Sequence, residues 1–207
     1  SDRTWTTIGL ERLHNPALAY TGSEAFVRAQ AKFQPLPPYF ERMHDLNLGG
    51  APPLGFSRAK PLSAQQVSFE LDQTQLVDLR SVEAFTSLHL PGALSLGQAI
   101  LGAYAGWFLD YHTPIALIGE PEQIEPAYRT LRRLGFDTIL GYLHGGIASW
   151  IGQGYETQAT TTRVAHNLCD SVDQGENPWI LDVRQDQELF EQGSIEGSNH
   201  IPAHQIA

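Results

Sequence analysis

This chain of 207 residues contains a single cysteine, and it has neither a long apolar run nor a segment that resembles a signal peptide. Its one cysteine excludes an internal disulfide, which fits a reducing compartment. No apolar run approaches the roughly 20 residues that a membrane-spanning helix needs. The first residues, SDRTWTTIGL, lack the basic and apolar regions of a signal peptide. We therefore expect a cytoplasmic protein that does not bind membranes.

Positive charge is also scarce, because 13 Lys and Arg face 23 Asp and Glu, which gives a formal net charge of −10. A nucleic-acid partner would require clustered Lys and Arg, so this balance argues against one. It also disfavours anionic membrane surfaces. We interpret the excess of acidic residues as a contribution to solubility.

Neither a metal site nor a phosphate-binding loop is predicted. The eight histidines form no His-x-His-x-Asp-His cluster. His200 and His204 are four residues apart, but they follow a Gly-rich turn and a proline and do not lie in a clear helix. The segment GYLHGG lacks the Lys and the Ser or Thr that a P-loop requires. We expect this chain itself to hold no cofactor.

The first zone, residues 1–57, predicts short helices followed by a linker. In SEAFVRAQAKF, Phe26, Ala29 and Phe33 lie near helical spacing after Ser23, a plausible N-cap. The helix predicted in YFERMHDLN places these side chains on one face: Tyr39, Phe40, Met43 and Leu46. LGGAPPLG predicts the linker. Such short helices cannot bury their apolar faces alone and need something to pack on.

The second zone, residues 58–158, alternates strand-like and helix-like segments. The predicted strands are QLVDL, ALSL, TPIALIG and TILGYL, and the predicted helices are QAILGAYAGWFLD and IEPAYRTLRRLG. The apolar stripe of the last helix is Ile124, Ala127, Tyr128, Leu131 and Leu134. Gly135 follows it as a typical C′ residue. Strands separated by helices imply an α/β fold, with a parallel sheet covered by helices on both faces.

The third zone, residues 159–207, repeats the start of the second. ILDVRQDQELFEQGSIEGSNHIP follows LVDLRSVEAFTSLHLPGALSL feature by feature. The paired positions are Asp78 and Asp182, Arg80 and Arg184, Phe85 and Phe190, Leu90 and Ile195, and Gly92 and Gly197. Ser194 stands in the place of His89. The pattern indicates a duplicated domain whose second copy is incomplete.

These motifs together resemble the rhodanese (sulfurtransferase) family. The resemblance rests on the Asp-x-Arg strand end, the turn HLPGA and the segment LRRLGFDTILGYLHGGIASW. It implies a complete rhodanese-like sheet over residues 58–158 and the start of a second such unit over residues 159–207. The positions that match the family's structural motif are Asp78, Arg80, His89, Gly92, Gly145, Gly146, Trp150, Asp182, Arg184 and Gly197.

Residues 1–57 carry a second resemblance, through TTIGLERLHNPAL and EAFVRAQAKFQPLPPYFERMHDLNLGGAPPL. They resemble the C-terminal tail of metallo-β-lactamase-fold proteins, in the branch fused to tandem rhodanese domains and related to persulfide dioxygenases and glyoxalase-II-type hydrolases. This implies a fragment of a sulfur-metabolism fusion enzyme, with iron or zinc only in a missing upstream domain. Its partners would be the rest of that fusion chain, and homo-oligomerisation stays open.

Rhodanese chemistry needs a thiolate that accepts a sulfane sulfur, on a loop at a helix N-terminus where N–H groups stabilise the anion. The corresponding loop follows TPIALIG and consists of Gly119, Glu120, Pro121, Glu122 and Gln123. It contains no cysteine, serine or threonine that could act as the nucleophile. Its acidic side chains would repel an anionic donor, although acids at a helix start also stabilise the helix dipole. We expect a vestigial active-site loop and assign no catalytic residue.

The roles of the other polar residues are open between function and structure. Arg80 is either an anion-binding aid or half of an ion pair that fixes the strand end, and the missing nucleophile favours the ion pair. His89 is expected to be a hydrogen-bonded turn residue. Cys169 lies in a predicted helix before the second Asp-x-Arg strand, and we expect a buried or half-buried structural thiol.

Three functions follow from these observations. The chain is a non-catalytic scaffold or spacer in a persulfide-handling fusion enzyme, an independent binding module whose acidic loop recognises a cationic partner, or a sulfurtransferase that acts through Cys169. The intact fold pattern without a nucleophile favours the first.

Overall fold

The computed structural model describes residues 5–31, 36, 39–50, 53, 55 and 57–206. The chain divides into two compact units, Ser1–Leu36 and Pro37–Ala207. Phe33 of the first predicted helix and three linker residues, Ala51, Pro52 and Leu54, lie outside the described residues. No helix in the described ranges combines the length and the apolar character needed to cross a membrane.

The first unit contains two short helices, α1 (Ile8–His14) and α2 (Ser23–Gln30). Thr7 caps α1, because its Oγ1 accepts a hydrogen bond of 3.2 Å from the Leu10 N–H. The predicted cap of α2 is wrong: Gly22 has the extended N-cap conformation, and Ser23 is already helical. None of the described residues in this unit is buried, so its apolar side chains are left partly or fully exposed.

The second unit begins with α3 (Tyr39–Gly49), which runs into the segment predicted as linker. Tyr39, Met43 and Leu46 are half-buried, whereas Phe40 is exposed, contrary to the predicted common face. The three half-buried residues follow the i, i+4, i+7 rule, and Phe40 lies about 100° away from Tyr39 around the helix. The Tyr39 ring lies so close to Gly106 that a Cβ there would overlap it.

Five parallel strands form the sheet of this unit, in the order β1-β5-β4-β2-β3. The strands are β1 (Pro61–Leu62), β2 (Gln75–Asp78), β3 (Leu94–Ser95), β4 (Ile115–Ile118) and β5 (Ile139–Leu143). The accompanying helices are α4 (Ala64–Phe69), α5 (Val82–Ser87), α6 (Leu101–Phe108), α7 (Pro121–Arg133) and α8 (Gly146–Gly152). The predicted α/β class, with a parallel sheet flanked by helices, is confirmed.

Successive strand residues point to opposite sides of the sheet, as the two-residue period of a strand requires. Val77 and Leu117 pack in the cluster that contains α6 and α7, whereas Leu76 and Ala116 pack in the cluster with α4 and Trp150 of α8. Both clusters are fully buried at their centres. The sheet therefore carries a hydrophobic core on each face, which is why its strands are apolar without alternation.

Two glycines are required by the local geometry. Gly135 has φ +84° just past α7, and the Phe136 N–H donates to the Leu131 carbonyl at 3.0 Å, so the predicted C′ role is confirmed. Gly141 of β5 has φ +153°, and a Cβ there would overlap the Lys60 carbonyl oxygen. The close approach of β1 to β5 therefore depends on the missing side chain.

The last part of the chain repeats the β2–β3 arrangement on a smaller scale. It contains α9 (Ala165–Asp173), β6 (Leu181–Asp182), α10 (Asp186–Gln192) and β7 (Asn199–His200). β6 and β7 form a two-stranded parallel sheet. Cys169 is exposed on α9, so the expectation of a buried thiol is wrong. α9 contains no buried residue.

Candidate functional site

The Asp-x-Arg motif forms a bidentate ion pair at the carboxyl end of β2. Asp78 is 0% exposed, and the Arg80 guanidinium contacts both of its oxygens, with Nε–Oδ1 at 2.9 Å and Nη2–Oδ2 at 2.6 Å. Arg80 Nη2 also donates to the Leu88 carbonyl at 2.8 Å. A buried carboxylate is tolerated when it is paired and hydrogen-bonded in this way. The arginine thus ties the strand end to the turn that follows α5.

His89 is held inside that turn by its ring and its backbone. The His89 Nδ1 lies 2.8 Å from the Phe85 carbonyl, so it donates, and the imidazole stacks on the Phe85 ring with 4.1 Å between centroids. The backbones of His89 and Gln158 pair in both directions at 2.8 Å. Gly92 completes the turn with φ +73°. These contacts give His89 a structural position, two residues away from the end of α5.

The loop after β4 is shorter than predicted. α7 begins at Pro121, so only Gly119 and Glu120 connect the strand to the helix, and Glu122 and Gln123 are helical. Proline is favoured at a first helical position because no hydrogen bond is lost there. The predicted vestigial loop is therefore a tight strand-to-helix turn.

The Gln123 side chain closes this turn. Its Oε1 accepts from the Glu120 N–H at 2.9 Å, and its Nε2 donates to the Leu79 carbonyl at 2.9 Å. A Cβ at Gly119 would lie 3.1 Å from Gln123 Oε1 and 3.1 Å from the Leu79 Cβ. One amide thus fills the space between the start of α7 and the end of β2.

Acidic side chains surround the same helix start. Glu120 and Glu122 are exposed there, where they interact favourably with the helix dipole. Glu125 lies one turn further and pairs with Arg129, with Oε1–Nε at 3.1 Å. The two exposed carboxylates oppose the binding of an anion at the turn.

The glycine pair after β5 brings a third strand end to this edge of the sheet. Gly145 and Gly146 have φ of +76° and +56° and begin α8. A Cβ at Gly146 would lie 4.0 Å from the Gly119 carbonyl oxygen. Trp150 is buried in α8, and its Nε1 donates to the Glu156 carbonyl at 2.7 Å. The carboxyl ends of β2, β4 and β5 therefore meet, as they must in a parallel sheet.

Asp182 and Arg184 form an ion pair of nearly the same geometry at the carboxyl end of β6. Arg184 Nε and Nη2 lie 3.0 Å and 2.6 Å from the Asp182 oxygens, and Nη2 donates to the Gly193 carbonyl at 2.9 Å. The hydrogen bonds from Arg184 lower the pKa of Asp182 to about 2. Gly197 has φ +79°, as Gly92 does in the first copy. The two Asp-x-Arg motifs of the sequence thus share the same side-chain geometry.

Polar groups are gathered at the carboxyl ends of β2, β4 and β5, as they are in a functional site. This edge of the sheet gathers the Asp78–Arg80 pair, Gln123 and the two glycine turns, and none of these side chains has a thiol or hydroxyl that could accept a sulfane sulfur. Within the described residues, no three His, Cys, Asp or Glu side chains are grouped to hold a metal ion. The bridge made by Gln123 was not predicted, although a Gln three residues after the N-cap residue is half of the capping-box signal.

Comparison with known proteins agrees with this geometry. The model of the rhodanese-like domain family matches residues 63–153. No curated protein has significant sequence similarity to the chain. A metallo-β-lactamase structure from Staphylococcus aureus is 28% identical with a TM-score of 0.55, and the match covers 67% of this chain and 40% of that one.

Two further structures are more distant. The match to a thiosulfate sulfurtransferase from Pseudomonas aeruginosa has 21% identity and a TM-score of 0.43, and it covers 70% of this chain and 32% of that one. The match to a rhodanese-like domain from Anabaena has 24% identity and a TM-score of 0.44, and it covers 51% and 86%. Residues 63–153 of this chain form a rhodanese-like domain.

Proposed function

We propose that this chain is the non-catalytic, rhodanese-like scaffold of a sulfur-metabolism fusion enzyme. A metallo-β-lactamase-fold domain, acting as a persulfide dioxygenase or hydrolase, would precede it and hold iron or zinc. A second rhodanese-like unit, completed beyond residue 207, would carry out sulfur transfer. The observation that carries the proposal is the β4–α7 turn, which stands where a sulfur-accepting loop is expected and has no nucleophile.

The chemistry of that turn supports a non-catalytic role. Neither Gly119 nor Glu120 can attack a sulfane sulfur and become a persulfide. Anion stabilisation at a helix start needs free N–H groups, but the Glu120 N–H is engaged by Gln123 and Pro121 has none. The exposed carboxylates add repulsion. Restoring activity would require a new loop as well as a cysteine.

Two observations support the fusion. The similarity to the S. aureus metallo-β-lactamase covers a larger share of this chain than the family model does. Large apolar side chains are exposed in the first unit, such as Trp5 and Ile8, and in the last zone, such as Trp179 and Phe190. Exposed apolar groups of this kind suit surfaces that neighbouring domains cover.

Two measurements test the proposal. A thiosulfate:cyanide sulfurtransferase assay should show no turnover with this chain and clear turnover with the whole gene product. The native mass of one copy of that product should be about 50 kDa, to accommodate a metal domain and a finished repeat. Turnover by the chain alone would contradict the non-catalytic role, and a gene product of only 22.9 kDa would contradict the fusion.

A second candidate function rests on the exposed acids at the start of α7. Among the described residues, Glu120 and Glu122 have no ion-pair partner. They could therefore recognise a cationic partner. A lysine-rich peptide should then be retained by the chain and released by the double substitution Glu120→Lys/Glu122→Lys. Equal retention of the peptide by the unchanged chain and by the double variant would contradict this function.

A further inference from the structure

The C-terminal half of α7 and the segment that leads to β1 enclose a groove of about 370 Å³. Its described lining consists of Gly55, Ser57, Arg58, Glu125, Tyr128, Arg129, Arg132 and Arg133. Four of the 13 basic residues of a chain with net charge −10 thus line one groove. A positive groove in an acidic protein concentrates anions locally.

Two of the four guanidinium groups are already engaged. Arg129 pairs with Glu125 at 3.1 Å, and Arg132 Nη1 pairs with Asp137 at 2.7 Å. Arg58 and Arg133 differ, because neither forms a hydrogen bond or an ion pair with any residue that the structure describes. The groove therefore has two guanidinium groups available for an anion.

The groove also offers a hydroxyl donor. Ser57 Oγ and Tyr128 Oη lie 2.7 Å apart, so one of them donates to the other. The accepting hydroxyl keeps its own proton for a third partner. Tyr128 belongs to α7 and its side chain is buried in the core cluster, which fixes the position of this hydroxyl pair.

Helix stabilisation accounts for only part of the cluster. Arg132 and Arg133 lie in the last turn of α7, where positive side chains interact favourably with the helix dipole. Arg58 comes from the segment before β1 and is not part of the helix. Its presence in the same groove, beside the hydroxyl pair, is the observation that points to a ligand.

We propose that this groove binds a small tetrahedral oxyanion, free or as a phosphate ester, through Arg58, Arg133 and the Ser57–Tyr128 hydroxyl pair. The planar guanidinium fork matches the oxygens of such an anion. The volume lies at the small end of ligand sites and suits a small molecule better than a macromolecule. The groove is made by the end of α7 opposite to the β4–α7 turn, so the inference does not depend on the proposed function.

Isothermal titration of the whole chain at low ionic strength tests the proposal with three probes: inorganic phosphate, sulfate and glycerol phosphate. We expect saturable binding at one site, and the two phosphates together distinguish a free anion from an ester. Arg58→Gln and Arg133→Gln should each weaken binding by about fivefold or more, because each removes a charged hydrogen bond. Arg163→Gln removes the same charge from an exposed position outside the groove and should leave the affinity within about twofold.

Two results would overturn the proposal: no saturable binding of any of the three probes, or equal weakening of binding by Arg163→Gln. Circular dichroism checks that each variant is folded. If Arg133→Gln fails to fold, the anion affinities of Arg58→Gln and Tyr128→Phe test the proposal. Tyr128→Phe breaks the hydroxyl pair without changing the charge, and it should weaken binding by about threefold or more.

Discussion

Removal of the Arg80 guanidinium should destabilise the rhodanese-like domain strongly. Asp78 is 0% exposed and the Arg80 side chain is 10% exposed, so Arg80→Gln leaves a buried carboxylate without its charged partner. Breaking a buried pair from one side costs about 3–5 kcal/mol. The Leu88 carbonyl also loses a donor. The free energy of unfolding should therefore fall by an amount near the top of that range.

Urea unfolding followed by far-UV circular dichroism measures this loss. With a slope of about 1–3 kcal/mol per molar urea, the midpoint should fall by more than about 1 M. The double variant Asp78→Asn/Arg80→Gln should be more stable than Arg80→Gln, because no unpaired charge remains buried. A loss below about 1 kcal/mol in Arg80→Gln, with no recovery in the double variant, would refute the assignment of a structural ion pair.

Three further predictions concern other parts of the fold. Gln123→Ala should lower the free energy of unfolding by about 1–3 kcal/mol in the same urea experiment, because two backbone groups at the β4–α7 turn lose their partner. Gly141→Ala should lower the melting temperature clearly, since its Cβ overlaps the Lys60 carbonyl; an unchanged melting temperature would contradict the close approach of β1 and β5. The pKa of Asp182 is lowered from 3.8 to about 2 in the folded chain, so its contribution to stability is present above about pH 4 and is lost as the pH falls towards 2. A carboxyl NMR titration should place its midpoint near 2, and Arg184→Gln should move the midpoint up towards 3.8.

The central strands and α7 could be predicted because their signals are local. The apolar strand segments, the stripe from Ile124 to Leu131 and the C′ glycine at Gly135 each lie within a few neighbouring residues. β1 was not predicted, because Pro61–Leu62 becomes a strand only by pairing with β5. Strand pairing across the chain leaves no local pattern in the sequence.

The errors at the site have the same origin. Cys169 lies in a predicted helix, which suggested a covered thiol, but α9 contains no buried residue. Whether a helix face is buried depends on what packs against it, and helical periodicity in the sequence does not show that. The Gln123 bridge and the groove around Arg58 join residues distant in sequence, so only the folded chain places them together.

The most direct test of the central claim is intact-mass spectrometry of the chain after incubation with thiosulfate, together with the thiosulfate:cyanide assay. The account predicts an unchanged protein mass and no turnover, in wild type and in Cys169→Ser alike. Addition of one sulfur atom to the wild-type protein, removed by cyanide and absent in Cys169→Ser, would contradict it and identify Cys169 as a sulfur carrier.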